Sequence, residues 1–439
     1  MNSSNRSPDQ KSLIRRLMIF IALVSVAEGL GQVGAVINQP LVYFFKEALG
    51  WAPDHVTKYL SLLIIPWIIK PLYGLLSDFV PVLGYRRRPY LILFNLLSVG
   101  GFLWIARLTS PTEILIALYL TAFGMAASST ISEAVLVENG NKLGLSGKFL
   151  NQQWLWFNIA AVSASLLGGW LSQHLTPGSA FHTAALIAAF APLGVVFSSW
   201  FLIDEEKTHL QPIAVDLKQL AGVFKNRTMW ITALFLFVWN IVPSFGTPLY
   251  YHMVDHLHFG QQLIGILGAA GSIGSVVGAF AYTWLSKRLS LKWLLYLSLA
   301  LGTAGTLAYL FLSSPTTAIL ISVANGIFGM IALVSSLTVA AHAVPDKSAG
   351  FSFALLMSVN NLAGQLASNL GAILFVHLFH SHLSPVIYLA ALGTALCALF
   401  VPILRLGDQR GDKLLGEAAP LSLAKASKKR AAVTSISGF

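Results

Sequence analysis

Residues Lys70–Tyr90 read KPLYGLLSDFVPVLGYRRRPY. They join one apolar run to the next through an acid, a glycine-containing turn and three consecutive arginines. Gly74 and Asp78 stand one helical turn apart. A position without a side chain and a carboxylate therefore share one helix face, where a neighbouring backbone can approach. Arg86, Arg87 and Arg88 assign the loop to the inner side of a membrane. The rest of the chain agrees. Of its 439 residues 56% are hydrophobic and 10% charged, against about 25% charged in a soluble protein. This composition predicts an all-α polytopic membrane protein. A net charge of +11 would point to nucleic acid if gathered on a soluble domain. Spread through short loops, it reports topology instead. Cys397 is the single cysteine, which excludes an internal disulfide. The first apolar run is too long for a signal-peptide core and is followed by no small-residue cleavage pattern, so it is expected to be kept as the first helix. The segment before it is expected to be too short for an organelle transit peptide.

Twelve apolar runs follow, most near the roughly 20 residues that a spanning helix needs. They cover 17–39, 57–77, 90–109, 112–137, 149–173, 181–203, 229–250, 261–285, 291–313, 316–343, 350–379 and 384–405. With the N-terminus inside, 24 of the 28 Lys and Arg fall in inner segments. Outer loops hold only Lys46, Lys58 and Arg107, and Lys70 lies within a run. A wrong helix count would scramble this alternation. The longest inner connection, 204–228, is polar, contains Pro212 and divides the chain into six runs plus six. Leu217–Phe224 reads as a short surface helix. The expected organisation is a cytoplasmic N-terminus (1–16), a six-helix half (17–203), a cytoplasmic loop (204–228), a second six-helix half (229–405) and a cytoplasmic tail (406–439). The second half carries a worn echo of the opening stretch. Gly278 is followed by YTWLSKRLSLKW, without the acid and without RRRP. Two related halves predict a secondary transporter built around a central site.

An ionisable group in hydrocarbon costs several kcal/mol and ordinarily faces a cavity or a partner. Three qualify. Glu28 lies along the first run, with Ser25 and Gln32 on its face at i−3 and i+4. Glu133 lies in the fourth run below Ser128, Ser129 and Ser132. Lys70 lies in the second run, where it either snorkels to the inner interface or serves as counter-charge to an acid or an anionic solute. Structural pairing is the alternative for both acids. Asn361, Gln365 and Asn369 form an amide stripe at i, i+4 and i+8, suited to a cavity wall or to helix–helix adhesion. Trp239, Asn240 and Pro243 sit together in the seventh run, where proline either loosens a gating helix or bends it for packing. Asn151, Gln152, Gln153 and Trp154 open the fifth run as candidate interfacial anchors. Ala160, Ala164 and Gly168, with Gly268, Ser272, Gly274 and Gly278, are expected to pack at the seam between the halves. His252, His256 and His258, and His377, His380 and His382, stand near outer helix ends without a matching carboxylate or thiolate set, so no metal is expected. No Walker loop, nucleotide fingerprint or hydrolytic triad is present in a convincing setting, so neither a cofactor nor enzymatic chemistry is expected.

Gly74, Asp78, Gly84 and the arginines resemble the loop between helices 2 and 3 of the major facilitator superfamily. The fuller pattern is KPLYG, then SD, then P-x-x-GYRRRPY, and it resembles the folate–biopterin transporter family within that superfamily. Glu133–Glu138 (EAVLVE) resembles that family's acid-A-L-V-V-E string, and Gln152, Gln153 and Trp154 fall where it carries glutamine and tryptophan. Ser129 and Glu133 stand where it has aspartates, and Glu28 where it often has glutamine. The resemblance implies the twelve-helix, two-half fold and alternating access. It also implies a pterin or folate-like substrate and a conformational latch made by Gly74, Asp78, Gly84, Arg86, Arg87 and Arg88. As a latch, Asp78 would meet a helix N-terminus and the arginines inner-face acids such as Glu138. The bland alternative is that these residues set topology alone. Substrate and proton candidates are Glu28, Gln32, Lys70, Ser129, Glu133, Trp239, Asn240, Asn361, Gln365 and Asn369. Two other readings stand beside the pterin carrier: a proton-linked sugar or metabolite carrier, and a non-transporting membrane assembly factor. The expected setting is the bacterial cytoplasmic membrane, with a monomer in the lipid bilayer and both termini cytoplasmic.

Overall fold

The computed structural model describes residues 8–143, 145–205, 207, 226–344 and 349–406. The side chains of Pro8, Asp78, Phe79, Asn141, Ser146–Lys148, Leu150 and 349–351 also fall outside that description. Most of the central connection lies outside it, including the surface helix expected at Leu217–Phe224, as does the tail beyond Leu406. The helices are α1 Pro8–Gly31, α2 Asn38–Tyr43, α3 Pro53–Ser61, α4 Ile65–Ile68, α5 Lys70–Phe79, α6 Arg88–Ile105, α7 Pro111–Leu143, α8 Ser146–His174 and α9 Pro177–Leu202. They continue with α10 Arg227–Asn240, α11 Gly246–Asp255, α12 Gln261–Ser286, α13 Leu291–Ala308, α14 Pro315–Ala343, α15 Ala349–Ile373 and α16 Leu383–Leu396.

Among the described residues, nine helical stretches are long and apolar enough to cross a membrane. The first, seventh and eleventh runs complete the twelve. The first differs from its expected span of 17–39. It starts at Pro8, stops at Gly31 and resumes at Asn38. Gly29, Gly31, Gly34 and Pro40 cluster at that break, where glycine entropy and the missing proline donor weaken a helix. The seventh run stops at Asn240 and resumes at Gly246, across Pro243. The second run breaks between Leu62 and Ile69, with Pro66 inside the irregular stretch and Pro71 just after it. The eleventh run, α15 and its π-turn to Leu378, carries the amide stripe, which lowers its mean hydropathy.

The chain divides into two compact units. One comprises 1–52, 62–213 and 260–269; the other comprises 53–61, 214–259 and 270–439. In the first, Leu17, Phe20, Ile21, Val24 and Ala27 form the buried stripe of α1 and join Tyr73, Leu91, Phe94, Ala126, Ile131 and Phe149 in one core. In the second, Met229, Ala233 and Leu236 of α10 pack with Leu291, Leu295, Val339, Ala340 and Leu356. Phe190, Trp200, Phe280, Trp293 and Phe311 are exposed. On a spanning helix such side chains meet acyl chains, not water.

Of the small residues, Gly268 meets α8 as expected, a Cβ there lying 3.0 Å from Ser165 Oγ, while others pack elsewhere. A Cβ at Gly29 would lie 2.6 Å from Ala160 Cβ, so Ala160 serves the α1–α8 crossing. Gly274 and Gly278 abut Val323 and Ile327 of α14, inside the second unit. In the first unit, α8 and the start of α12 approach at Gly169 and Gly265, where a Cβ on Gly169 would lie 2.7 Å from Gly265 Cα. Helix-to-helix contact in lipid relies on such backbone approach, because burial from lipid yields no hydrophobic gain.

Candidate functional site

The site in the first unit forms where a helix is broken. Pro71 lacks an N–H and its ring crowds the carbonyl of residue 67, so α4 and α5 cannot join. Ile69 accordingly leaves helical geometry (φ −85°, ψ 11°), and α5 restarts at Lys70. From there the ammonium of Lys70 lies 5.3 Å from the ring centre of Trp67. Lys70 Nζ is 3.4 Å from Glu133 Oε1 and donates to Ser129 Oγ at 3.3 Å. Ser129 in turn donates to Glu133 Oε1 at 3.3 Å, across one turn of α7. Glu133 is about half exposed, whereas Lys70 is largely covered.

Glu28 belongs to the same group. It continues the buried stripe of α1, one position beyond Ala27, and is 8% exposed. Its carboxyl feels the charges of Glu133 and Lys70 and faces Ser129. Its Oε1 is buried, without a hydrogen-bond partner among the described residues. Four candidates from three separate runs, Glu28, Lys70, Ser129 and Glu133, thus converge. Gln32 does not extend this stripe as expected. The helix ends at Gly31, and Gln32 sits in the following turn, its carbonyl accepting from Ala35 N. Ser25 is buried and spends its hydroxyl on Ile21 O at 2.7 Å.

In the second unit, Asn240 ends α10 and donates to Asn360 Oδ1 at 2.7 Å. Trp239 packs edge-on against Phe235, 5.4 Å between ring centres. The four-residue spacing singles out Asn361 and passes over Asn360, although the two adjacent amides point about 100° apart on a helix. Asn361, Gln365 and Asn369 are half-buried, and among the described residues no hydrogen bond engages their side chains. The loosened segment at Pro243 docks on α15: Ser244 N donates to Ala367 O at 3.0 Å, and its carbonyl presses on Gly371.

The 82–85 loop is a tight turn closed by Val82 N to Tyr85 O and Tyr85 N to Val82 O, both 2.9 Å. Both central residues have positive φ, Leu83 at 54° and Gly84 at 83°; only glycine adopts this without strain. The arginines that follow divide their work. Arg87 is buried. It donates to Glu138 Oε1 at 2.6 Å and to Ser77 Oγ at 2.5 Å. Arg88 donates to Trp200 O at 2.8 Å and stacks over the Trp200 ring at 4.8 Å. Glu205, just past α9, accepts the backbone N–H groups of Arg86, Arg87 and Arg88 at 2.7–3.1 Å. A carboxylate there satisfies the orphan donors at the N-terminus of α6 and complements its dipole. The sequence carries no signal for it, because the two segments lie more than a hundred residues apart. Among the described residues, Gly74 has room for a side chain within its unit: a Cβ would touch only Thr130 Cγ2, at 3.9 Å. The side chain of Asp78 lies outside the described residues.

Among the described residues no three His, Cys, Asp or Glu side chains gather as a metal set. His377 instead pairs with Asp54 at 3.0 Å, and the His252 and His256 rings lie 5.1 Å apart.

A family model described as the BT1 family matches residues 31–405. The chain belongs to the BT1 family. The chain is 29% identical over 411 residues to a folate-biopterin transporter from Synechocystis, covering 86% of this chain and 80% of that protein. It is 24% identical over 365 residues to folate transporter 1 of Plasmodium falciparum, covering 80% and 71%. It is 25% identical over 380 residues to probable folate-biopterin transporter 2 of Arabidopsis thaliana, covering 81% and 74%. Among solved structures, a point mutant of the nucleoside transporter NupG superposes with a TM-score of 0.70 at 13% identity, over 89% of this chain and 99% of that one. A D-xylose–proton symporter superposes with a TM-score of 0.70 at 14% identity, over 91% and 99%. This BT1 chain therefore has the fold of those two proteins, and the expected all-α membrane architecture holds.

Proposed function

We propose that this BT1 protein is a secondary transporter that carries a folate-like or pterin solute by alternating access, with proton coupling. The carrying observation is the Glu28–Lys70–Ser129–Glu133 group inside the membrane-spanning part of the first unit. Membrane proteins place such groups only where they are used or paired. A pterin presents an amino group and a ring N–H side by side, a two-point donor that the half-exposed carboxylate of Glu133 accepts. Trp67, beside Lys70, offers a face for the ring. Lys70 meets the carboxylate tail of a folate. Drawing Lys70 away leaves Glu133 without its counter-charge, and a proton taken up at Glu28 or Glu133 restores the balance. The half-buried amides Asn361, Gln365 and Asn369, together with Trp239 and Asn240, supply neutral donors and acceptors. Gln32, in the turn after α1, is the least supported of the candidates.

The names of the relatives support the substrate class. The charge asymmetry supports an orientation with both termini in the cytoplasm, and the Synechocystis relative supports a bacterial cytoplasmic membrane. The boundaries at 17–203 and 229–405 are proposed for the two halves, and a monomer is the proposed working form. Gly74, Asp78, Gly84 and Arg86–Arg88 are proposed to latch the cytoplasmic face. Among the described residues, the absence of a side chain at Gly74 serves no close packing inside its own unit, which suits a contact made in another state of the cycle.

The test is uptake of labelled folate, biopterin and xylose into proteoliposomes under an imposed pH gradient. Folate or biopterin should accumulate only when the outside is acidic, and Glu28→Gln should uncouple uptake from the gradient while leaving binding. Gradient-driven uptake that survives Glu28→Gln overturns coupling at Glu28. Uptake of xylose alone overturns the substrate class. Transport of none of the panel, with a partner protein co-purifying, returns the assembly-factor reading.

A further inference from the structure

An open groove of about 720 Å³ lies between the N-terminal half of α1 and the start of α8, wholly within the first unit. Its floor is apolar, made by Met18, Ile19 and Leu23 of α1 and Trp156 of α8. Gln152 bridges the two helices there, donating to Met18 O at 2.9 Å. At the mouth stand Lys11 and Arg15, one turn apart on the face that continues through Ile19 and Leu23. Both are exposed, and among the described residues neither forms an ion pair. Arg16, the next residue, points elsewhere and is held by Asp204 at 2.7 Å. Among the described residues, then, one of three neighbouring cations is paired and two stand over an apolar trough.

We infer that this groove is a binding site for an anionic phospholipid, with the headgroup phosphate on Lys11 and Arg15 and one acyl chain along Ile19, Leu23 and Trp156. Charge complementarity selects this occupant. The groove runs from the polar end of a spanning helix into its apolar part, as a lipid does, and the two cations sit at the headgroup end. A zwitterionic lipid carries the same phosphate but offsets it with its own ammonium, so it gains less from the two cations, and a neutral detergent fills the trough without using them. The inference is independent of what the protein carries. It places no demand on Glu28 or Lys70, so a failure of the substrate proposal leaves it standing. Each Lys or Arg near an anionic lipid surface contributes roughly fivefold in affinity, so the pair contributes on the order of thirtyfold.

The test is native mass spectrometry of the full chain titrated with dioleoyl phosphatidylglycerol and, in parallel, with dioleoyl phosphatidylcholine. The two lipids share acyl chains and differ in net charge. Phosphatidylglycerol should bind more tightly, and raising the salt concentration should narrow the gap. The double variant Lys11→Gln/Arg15→Gln should lose roughly thirtyfold for phosphatidylglycerol and little for phosphatidylcholine. Lys287→Gln/Lys292→Gln, which removes two cations from another loop, should leave both affinities in place. Ile19→Trp, which fills the trough without changing charge, should weaken both lipids. Equal binding of the two lipids by the unaltered protein overturns the inference. Phosphatidylglycerol binding within twofold of the original in Lys11→Gln/Arg15→Gln also overturns it, as does an equal loss in the Lys287/Lys292 control.

Discussion

Replacing Glu138 with Gln keeps the shape of the side chain and removes its charge, which isolates what the Arg87 pair contributes. The guanidinium is 7% exposed and the carboxylate 43%, at 2.6 Å. Pairs exposed on both sides are worth about 0–1 kcal/mol. Stripping one partner from a fully buried pair costs about 3–5 kcal/mol. With the cation desolvated and the anion half in contact with solvent, the expected loss is about 2 kcal/mol, roughly a thirtyfold shift in the folded population. Ser77 keeps its bond to Arg87 in the variant, so the structure around the loop should persist. The assay is equilibrium unfolding of the purified chain in mixed micelles, applied to Glu138→Gln, Arg87→Gln and the double variant. The two single losses should exceed the double loss by about 1–2 kcal/mol. Arg87→Lys should not restore the native value, because a point charge cannot serve Ser77 and Glu138 together as the guanidinium fork does. A coupling below about 0.5 kcal/mol, the ordinary scatter of additive sites, would refute the view that this pair is a structural tie.

Other outcomes follow from the same geometry. Gly124→Ala should cost about 1–3 kcal/mol in the same unfolding assay, because the added methyl would press on Ser98 and the backbone of Phe94 where α6 crosses α7. Gly100→Ala, facing open space, should be neutral or slightly stabilising. Asn240→Leu should cost about 1 kcal/mol through loss of the Asn360 bond, and Asn360→Leu should add little on top of it, read by a double-mutant cycle. Glu205→Ala removes the acceptor for three backbone donors and should cost about 1–2 kcal/mol. Amide exchange should rise selectively at residues 86–88.

Membership of a membrane class and the all-helical fold were legible in the sequence because they rest on local quantities. Each residue carries its own cost of leaving water, and that cost sums along a run whatever the run touches. Loop charge is equally local, so the basic triplet after Gly84 reports topology without any fold. The turn at 82–85 was marked by Gly84, since positive φ is written in the residue type. Lys70, Ser129 and Glu133 could be singled out because charge and hydroxyls in an apolar run are conspicuous. Which of them meet was not legible, because it depends on how far each helix is rotated and where it breaks. The stop at Gly31 removed Gln32 from the face it shares with Glu28 on an ideal helix, and a rotation of one residue gave Asn240 to Asn360 and not to Asn361. Glu138 was legible as a partner for the arginines, but only the tertiary structure decided that Arg87 is the one that takes it, that Arg88 takes Trp200, and that Glu205 closes the start of α6. A hydrogen bond reaches about 3 Å, and only folding brings residues 86 and 205 within it.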